Sequence, residues 1–422
     1  MDGIGWQGLT AKRLADMRNM HAQVRTTSGK NLAILSFTLV VVMLGFGMVI
    51  PVFPFFVERL GAGGSALGLL VATGALTELL FGPLWGSVSD RTGRKPILMI
   101  GMLGYGLSMV LFGLSTQLWM LFASRALSGV LSSATLSTAM AYIGDSTSEK
   151  ARGGGMGALG GAAGLGIILG PGLGGWLAGG SLSTPFFFAA GMAVVSLLLI
   201  VLLLPETLPP GARRPEGRRI SLVDFSELWR ALFSPIGGLL LLACLGTIGT
   251  SNFESIFGLY ALEALGYGPQ QVGAVLTVVG FVAVIGRGVL TGMFTRRWGE
   301  VTVIKGALLA GAVTFLLLLL AKSYATVLLT TGLFILITAF FRPAVHSLTS
   351  QRATVGQGAA MGLSNSFVSL GRVIGPIWAG VVFDLNLSFP YISGAVILFI
   401  VFLLSLVWMP KNRIKVTPVT NE

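Results

Sequence analysis

Cysteine is nearly absent from this chain. Cys244 stands alone among 422 residues, which excludes a disulfide framework and a cysteine-built metal site. Histidine is almost as scarce: His21 and His346 are the only two, too few for a histidine metal centre. Charge is thin as well. Charged residues are 10% of the chain, against about a quarter in soluble domains, which rules out an ordinary water-soluble fold. No Ser-His-Asp set, no His-Glu-x-x-His and no Walker loop occurs. The chain therefore reads as a non-enzyme without metal or cofactor.

What is present in abundance is apolar length. Hydrophobic residues make up 54% of the chain, and the mean hydropathy is +0.85. Apolar blocks run over 32–57, 66–86, 97–115, 118–143, 157–178, 185–204, 236–262, 271–292, 303–321, 325–348, 359–383 and 389–409. A membrane-spanning helix needs about 20 apolar residues, so twelve spans are expected. The 60 glycines would weaken helices in water, but small residues let membrane helices approach closely. The fold class implied is an all-α polytopic membrane protein with twelve transmembrane helices.

The net charge of +12 needs a cause. With the N-terminus inside, the inner segments carry Lys12, Arg13, Arg18, Arg25, Lys30, Arg91, Arg94, Lys95, Lys150 and Arg152. They also carry the Arg213–Arg219 group, Arg230, Arg296, Arg297, Lys305, Arg352 and the tail Lys411, Arg413 and Lys415, which makes 22 of the 28 basic residues. Outer loops hold Arg59 and Lys322. This asymmetry is the positive-inside rule. It places both termini in the cytoplasm of a multi-pass inner (cytoplasmic) membrane protein and makes nucleic acid an unneeded partner. The first block is too long for a signal-peptide core, and no small-residue cleavage site comes after it. In the polar tail, Leu14, Met17, His21 and Val24 fall at helical spacing. That fits a short interfacial helix and equally a disordered start with Met17 or Met20 as initiator.

The chain repeats itself. Gly86, Arg91 and Gly93 recur as Gly292, Arg297 and Gly299, an offset of 206. Met156, Gly157, Gly166, Gly170, Pro171 and Gly175 recur as Met361, Gly362, Gly371, Gly375, Pro376 and Gly380, an offset of 205. Two motifs agreeing on half the chain length imply two pseudosymmetric six-helix bundles, the arrangement of a transporter with its binding site between repeats. The expected organisation is a cytoplasmic tail 1–30, a first bundle 31–204, a cytoplasmic linker 205–235, a second bundle 236–409 and a tail 410–422.

Several motifs carry a family resemblance over nearly the whole chain. Gly86-x-x-x-Asp90-Arg91-x-Gly93-Arg94-Lys95 resembles motif A of the major facilitator superfamily, and Arg125-x-x-x-Gly129 resembles its motif B. Gly157, Gly166, Gly170, Pro171, Gly174 and Gly175 resemble motif C, the antiporter signature. Gly45, Pro51 and Pro54 resemble the first-span motif of twelve-span drug:proton antiporters. Asp145-Ser146-Thr147 with Arg152, and Pro185-Phe186-Phe187, are similar to tetracycline efflux proteins. The resemblance implies the major facilitator fold and a monomer that exports small amphipathic compounds in exchange for protons. It also implies that Asp90 docks between the halves with Arg91, Arg94 and Asp145, latching the outward-facing state. In the second copy Arg296 replaces Asp90, so such a gate is asymmetric.

Ionisable residues at membrane depth are costly and therefore functional candidates. Glu78 lies halfway along the second block, Glu254 in the seventh and Arg125 in the fourth. Each is a candidate for proton coupling; a fixed structural pair of Glu78 with Arg125 is the alternative. Arg287, Arg342 and Arg372 lie in the second half, with Glu254 as the matching acid. Arg342 and Arg372 are candidates for contact with an anionic substrate or ion, or for bonding helix carbonyls. A transporter or flippase of an anionic amphiphile is thus the second function expected from the residues.

Overall fold

The computed structural model describes residues 29–208, 225–353 and 356–409. The expected tail helix, most of the linker and the C-terminal tail lie outside the described residues. Among the described residues, twelve helices are long and apolar enough to cross a membrane. They are α1 (Gly29–Arg59), α2 (Gly64–Thr92), α3 (Arg94–Gly113), α4 (Leu118–Ser146), α5 (Glu149–Ala178) and α6 (Thr184–Leu203), then α7 (Gly237–Leu265), α8 (Pro269–Trp298), α9 (Glu300–Leu320), α10 (Tyr324–Arg352), α11 (Gln357–Leu385) and α12 (Phe389–Trp408). A short helix, Phe225–Leu232, precedes α7.

Helix is the form a bilayer demands, because it satisfies each backbone polar group internally. The breaks have local causes. Gly93 turns the chain between α2 and α3 at φ 111°, and Gly299 does the same between α8 and α9 at φ 76°. These backbone angles disfavour a residue with a Cβ. In α10 the helix breaks at Phe340. Pro343 explains it, since a proline ring collides with the carbonyl four residues back. Within α8, Gly286–Leu290 forms a π turn, closed by the Thr291 hydroxyl donating to the Gly286 carbonyl at 2.8 Å.

The described residues cluster into two compact units. Of these, one comprises 29–52 with 77–208, the other 53–76 with 225–353 and 356–409. In the first unit α3 packs on α4 and α6, burying Tyr105, Phe112, Tyr142 and Phe186 almost completely. Phe112 stacks on Phe186 with centroids 5.4 Å apart. A buried Ser196 hydroxyl donates to Thr38 at 2.8 Å, joining α6 to α1; such bonds between membrane helices contribute about 0.6 to 2 kcal/mol.

In the second unit α7 packs against α11 and α12. Its core is aromatic: Phe315 stacks on Phe334 at 4.4 Å, and Tyr391 packs edge-on to Tyr260 at 4.6 Å. Large apolar side chains such as Leu103, Trp119, Trp176 and Leu202 stay exposed, as the lipid-facing surface of a multi-pass protein requires.

Candidate functional site

The first cluster of charged residues forms where α2 turns into α3. Arg94 is 7% exposed and sits between two acids. Its Nη1 lies 2.6 Å from Asp90 Oδ1, and its Nε donates to Asp145 Oδ2, at the end of α4, at 2.8 Å. Nη1 also donates to Ser89 Oγ at 2.7 Å. One guanidinium thus gathers Asp90 and Asp145, and charge-assisted bonds of this kind contribute about 1.5–3 kcal/mol each.

Glu206, just past α6, joins this cluster without having stood out in the sequence. Its carboxylate accepts from the amides of Arg94 (2.9 Å) and Lys95 (3.1 Å), capping α3 where the helix dipole favours negative charge. Lys95 Nζ in turn donates to the Val201 carbonyl at 2.8 Å. A proline followed by an acid at the end of an apolar block is the one signal that could have marked it.

The second half repeats the place with other residues. Glu300 opens α9 and accepts from Gln351 Nε2 at 2.7 Å and Ser347 Oγ at 3.0 Å. Lys305 Nζ donates to the Met409 carbonyl at 2.7 Å, tying α9 to the end of α12. Arg296, which replaces Asp90, is exposed.

The glycine series of α5 meets α1. A Cβ on Gly166 would stand 2.7 Å from Leu44 N, on Gly170 2.6 Å from Leu44 O, and on Gly174 2.6 Å from Met48 Cα. Only hydrogen fits between these backbones. Gly371 and Gly375 of α11 stand likewise against Cys244, Ile248 and Ser251 of α7. Gly157, by contrast, faces open space. Gly45 is fixed by a different neighbour, because the Tyr105 hydroxyl occupies the place of its Cβ. Pro51 and Pro54 are buried, and Pro54 packs against Gly258 of α7.

The remaining ionisable residues fall into two groups. In the first unit Arg125 is 9% exposed, lies 5.5 Å from the Phe46 ring centre and feels the charge of Glu78. In the second unit a cavity with about 20 Å³ of room for a water-sized body is lined by Thr250, Glu254, Thr338, Arg287 and Arg342, among others. Arg342 Nη2 is buried there without a hydrogen-bond partner among the described residues. Glu254 attracts Arg342, while Arg372 and Arg287 repel it. The structure therefore places Glu254 and Arg342, expected in separate roles, around one cavity. His346 is close to Ser364, with Nδ1 and Oγ 3.2 Å apart, and stands outside this lining.

Comparison with known proteins decides the family. The model of the Major Facilitator Superfamily matches residues 35–337 and 239–421. The chain belongs to the Major Facilitator Superfamily. It is 32% identical to Multidrug resistance protein 2 of Bacillus subtilis (strain 168) over 381 residues, covering 90% of this chain and 95% of that one. Multidrug resistance protein 1 of the same organism is 34% identical over 385 residues, covering 91% and 97%. Quinolone resistance protein NorA of Staphylococcus aureus is 28% identical, covering 86% and 92%. Among solved structures, the nucleoside transporter NupG superposes with a TM-score of 0.74 at 13% identity, covering 89% and 97%. The human organic anion transporter MFSD10 superposes with a TM-score of 0.63 at 24% identity, covering 90% and 100%. Both show the shared fold.

Proposed function

We propose that this superfamily member exports small amphipathic compounds, driven by protons moving inward, through alternating access. It would work as a monomer in the cytoplasmic membrane, with both termini inside. The observation that carries the efflux reading is the end-to-end match, at 32% and 34% identity, to two bacterial multidrug resistance proteins. Proton exchange is supported by Glu254. This acid is exposed on a helix otherwise buried along its middle, and it acts on Arg342 across the small cavity. Protonation of Glu254 removes its attraction for the guanidinium, and deprotonation restores it. One group thereby alternates between a neutral and an ion-attracting state, as a coupling site requires.

Proteoliposomes test this reading. An imposed pH gradient should drive accumulation of a cationic dye, and Glu254→Gln should abolish that drive while leaving downhill exchange intact. Gradient-driven uptake unchanged in Glu254→Gln would move coupling to Glu78 or elsewhere. A second reading, export or flipping of an anionic amphiphile, is favoured by Arg287, Arg342 and Arg372 acting around a single acid. Counterflow of an anionic lipid probe against a cationic dye separates the two.

A further inference from the structure

The start of α2 is capped by a carboxylate more than three hundred residues away. The amides of Gly64 and Ser65 donate to Asp384 Oδ1 at 2.6 Å and to Oδ2 at 2.9 Å. Asp384 is the penultimate residue of α11. Both carboxylate oxygens are thus spent on two amides that no turn of α2 can satisfy, at the end where the helix dipole favours negative charge.

The steric fit around the cap is tight. A Cβ on Gly68 would stand 2.1 Å from the Pro376 carbonyl oxygen, and one on Gly380 2.2 Å from the Gly64 carbonyl oxygen. A Cβ on Gly63 would meet Asp384 Oδ1 at 2.7 Å. The first turns of α2 and the last turns of α11 therefore touch backbone to backbone. Yet Glu58 and Glu263 crowd the same place: Glu263 feels the negative charge of both Glu58 and Asp384. The bond is made against like charge.

The division of the chain gives this contact its meaning. Phe53–Leu76, the end of α1 and the start of α2, belongs to the second compact unit, whereas the remainder of both helices belongs to the first. The cap sits where a segment of the first half is held by a helix of the second. The cap and Asp90 stand at opposite ends of α2.

We propose that Asp384 is a releasable latch that holds shut the face opposite the Asp90 turn, and that its carboxylate must leave the α2 amides for that face to open. This rests on the alternating-access reading above. The Phe383 ring packs against Gly64 beside the cap, but the side-chain hydrogen bonds on the first amides of α2 come from Asp384, so this carboxylate sets how readily the face opens. Neutralising it removes charge from a helix N-terminus and leaves an amide facing two N–H donors. Caps of this kind shift an equilibrium by roughly threefold to thirtyfold.

The test measures a distance. Leu69 and Leu385 are both exposed beside the contact. The full chain with Cys244→Ser, Leu69→Cys and Leu385→Cys carries two spin labels, and pulsed electron resonance reads their separation in nanodiscs. The chain with Asp384 should show a dominant short distance. Asp384→Asn should raise the share of a longer distance by the factor above, and Asp384→Glu should restore part of the short one. Ser65→Pro offers a second route if the Asn variant folds poorly. Proline is tolerated in the first turn of a helix, it deletes one donor, and it should shift the distance the same way. Distance distributions unchanged in Asp384→Asn or in Ser65→Pro overturn the latch. Dye export by the unlabelled parent is measured alongside. Its absence counts against the efflux reading, while the distances still judge the latch.

Discussion

Gln351 donates to Glu300 over 2.7 Å at the place where, 206 residues earlier, Arg94 donates to Asp145 over 2.8 Å. Donor and acceptor have exchanged helices. The third helix of the first half supplies the cation, and the third helix of the second half supplies the anion. Asp90 and its counterpart Arg296 are inverted in the same sense. The first copy is an acid–arginine–acid network, whereas the second pairs an acid with a neutral amide. Equal mutations at equivalent places should therefore have unequal effects.

Asp90→Asn should cut transport severely, with membrane insertion unchanged, while Arg296→Gln should have a smaller effect. Asp90 shares Arg94 with Asp145, and losing one acid leaves the guanidinium held from one side. Dye efflux from cells at matched expression checks this. Efflux at the parental rate from Asp90→Asn would end any gating role for the turn.

Glu78→Gln should leave pH-driven accumulation in inverted vesicles close to the parental level if Glu254 is the coupling acid. Glu78 is exposed and acts on Arg125, so its replacement should instead lower thermal stability by at most about 1 kcal/mol, the range for an exposed charge partner. Accumulation lost in Glu78→Gln and kept in Glu254→Gln would reverse the assignment.

Gly170→Val should destabilise the protein by about 1–3 kcal/mol, the usual cost of forcing methyl groups into a filled space. The Cβ would press on Leu44 O and Gly47 Cα of α1. Gly160→Ala, ten residues earlier in the same helix, meets nothing within 4 Å. It should be neutral or stabilising, since alanine is the better helix former. Thermal unfolding in detergent compares the two; equal losses would contradict the close approach.

Arg372→Gln separates the two transport readings. If the cargo is an anionic amphiphile, loss of one charge-assisted bond should weaken anionic ligands by roughly tenfold to a hundredfold and spare neutral ones. If the cargo is cationic or neutral, affinity should change little for either class. A binding titration with purified protein discriminates.

The twelve spans were legible because apolar length is a property of composition, and the twofold plan because two glycine-containing motifs share an offset. The four-residue spacing of Gly166, Gly170 and Gly174 marks one helix face before any partner is known, and that face meets α1. Helix ends were less legible. α5 begins at Glu149, well before the apolar block at 157, because a polar first turn outside lipid is still helix. The capping acids Glu300 and Asp384 were not legible, and Glu206 carried only the signal of the proline before it. Each caps or anchors a helix remote in sequence, and which helix end lies beside an acid is decided by packing. The approach of Glu254 and Arg342 depends on the break at Phe340 in the same way: Pro343 announces a break, but not the direction it sends the arginine.

The π turn at Gly286–Leu290 records how the two halves diverged. The positive-φ glycines Gly61 and Gly266, just before the second helix of each half, are 205 residues apart, whereas the turn residues Gly93 and Gly299 are 206 apart. The second half therefore carries one more residue between those points. A π turn stores one surplus residue inside a helix, where a plain insertion would rotate everything downstream by about 100°. The widened turn absorbs that rotation beside Arg287, so the tip of α8 still delivers its arginines to the turn at Gly299. A membrane span can thus carry one extra residue in its middle while the arginine tip beyond it keeps its aim.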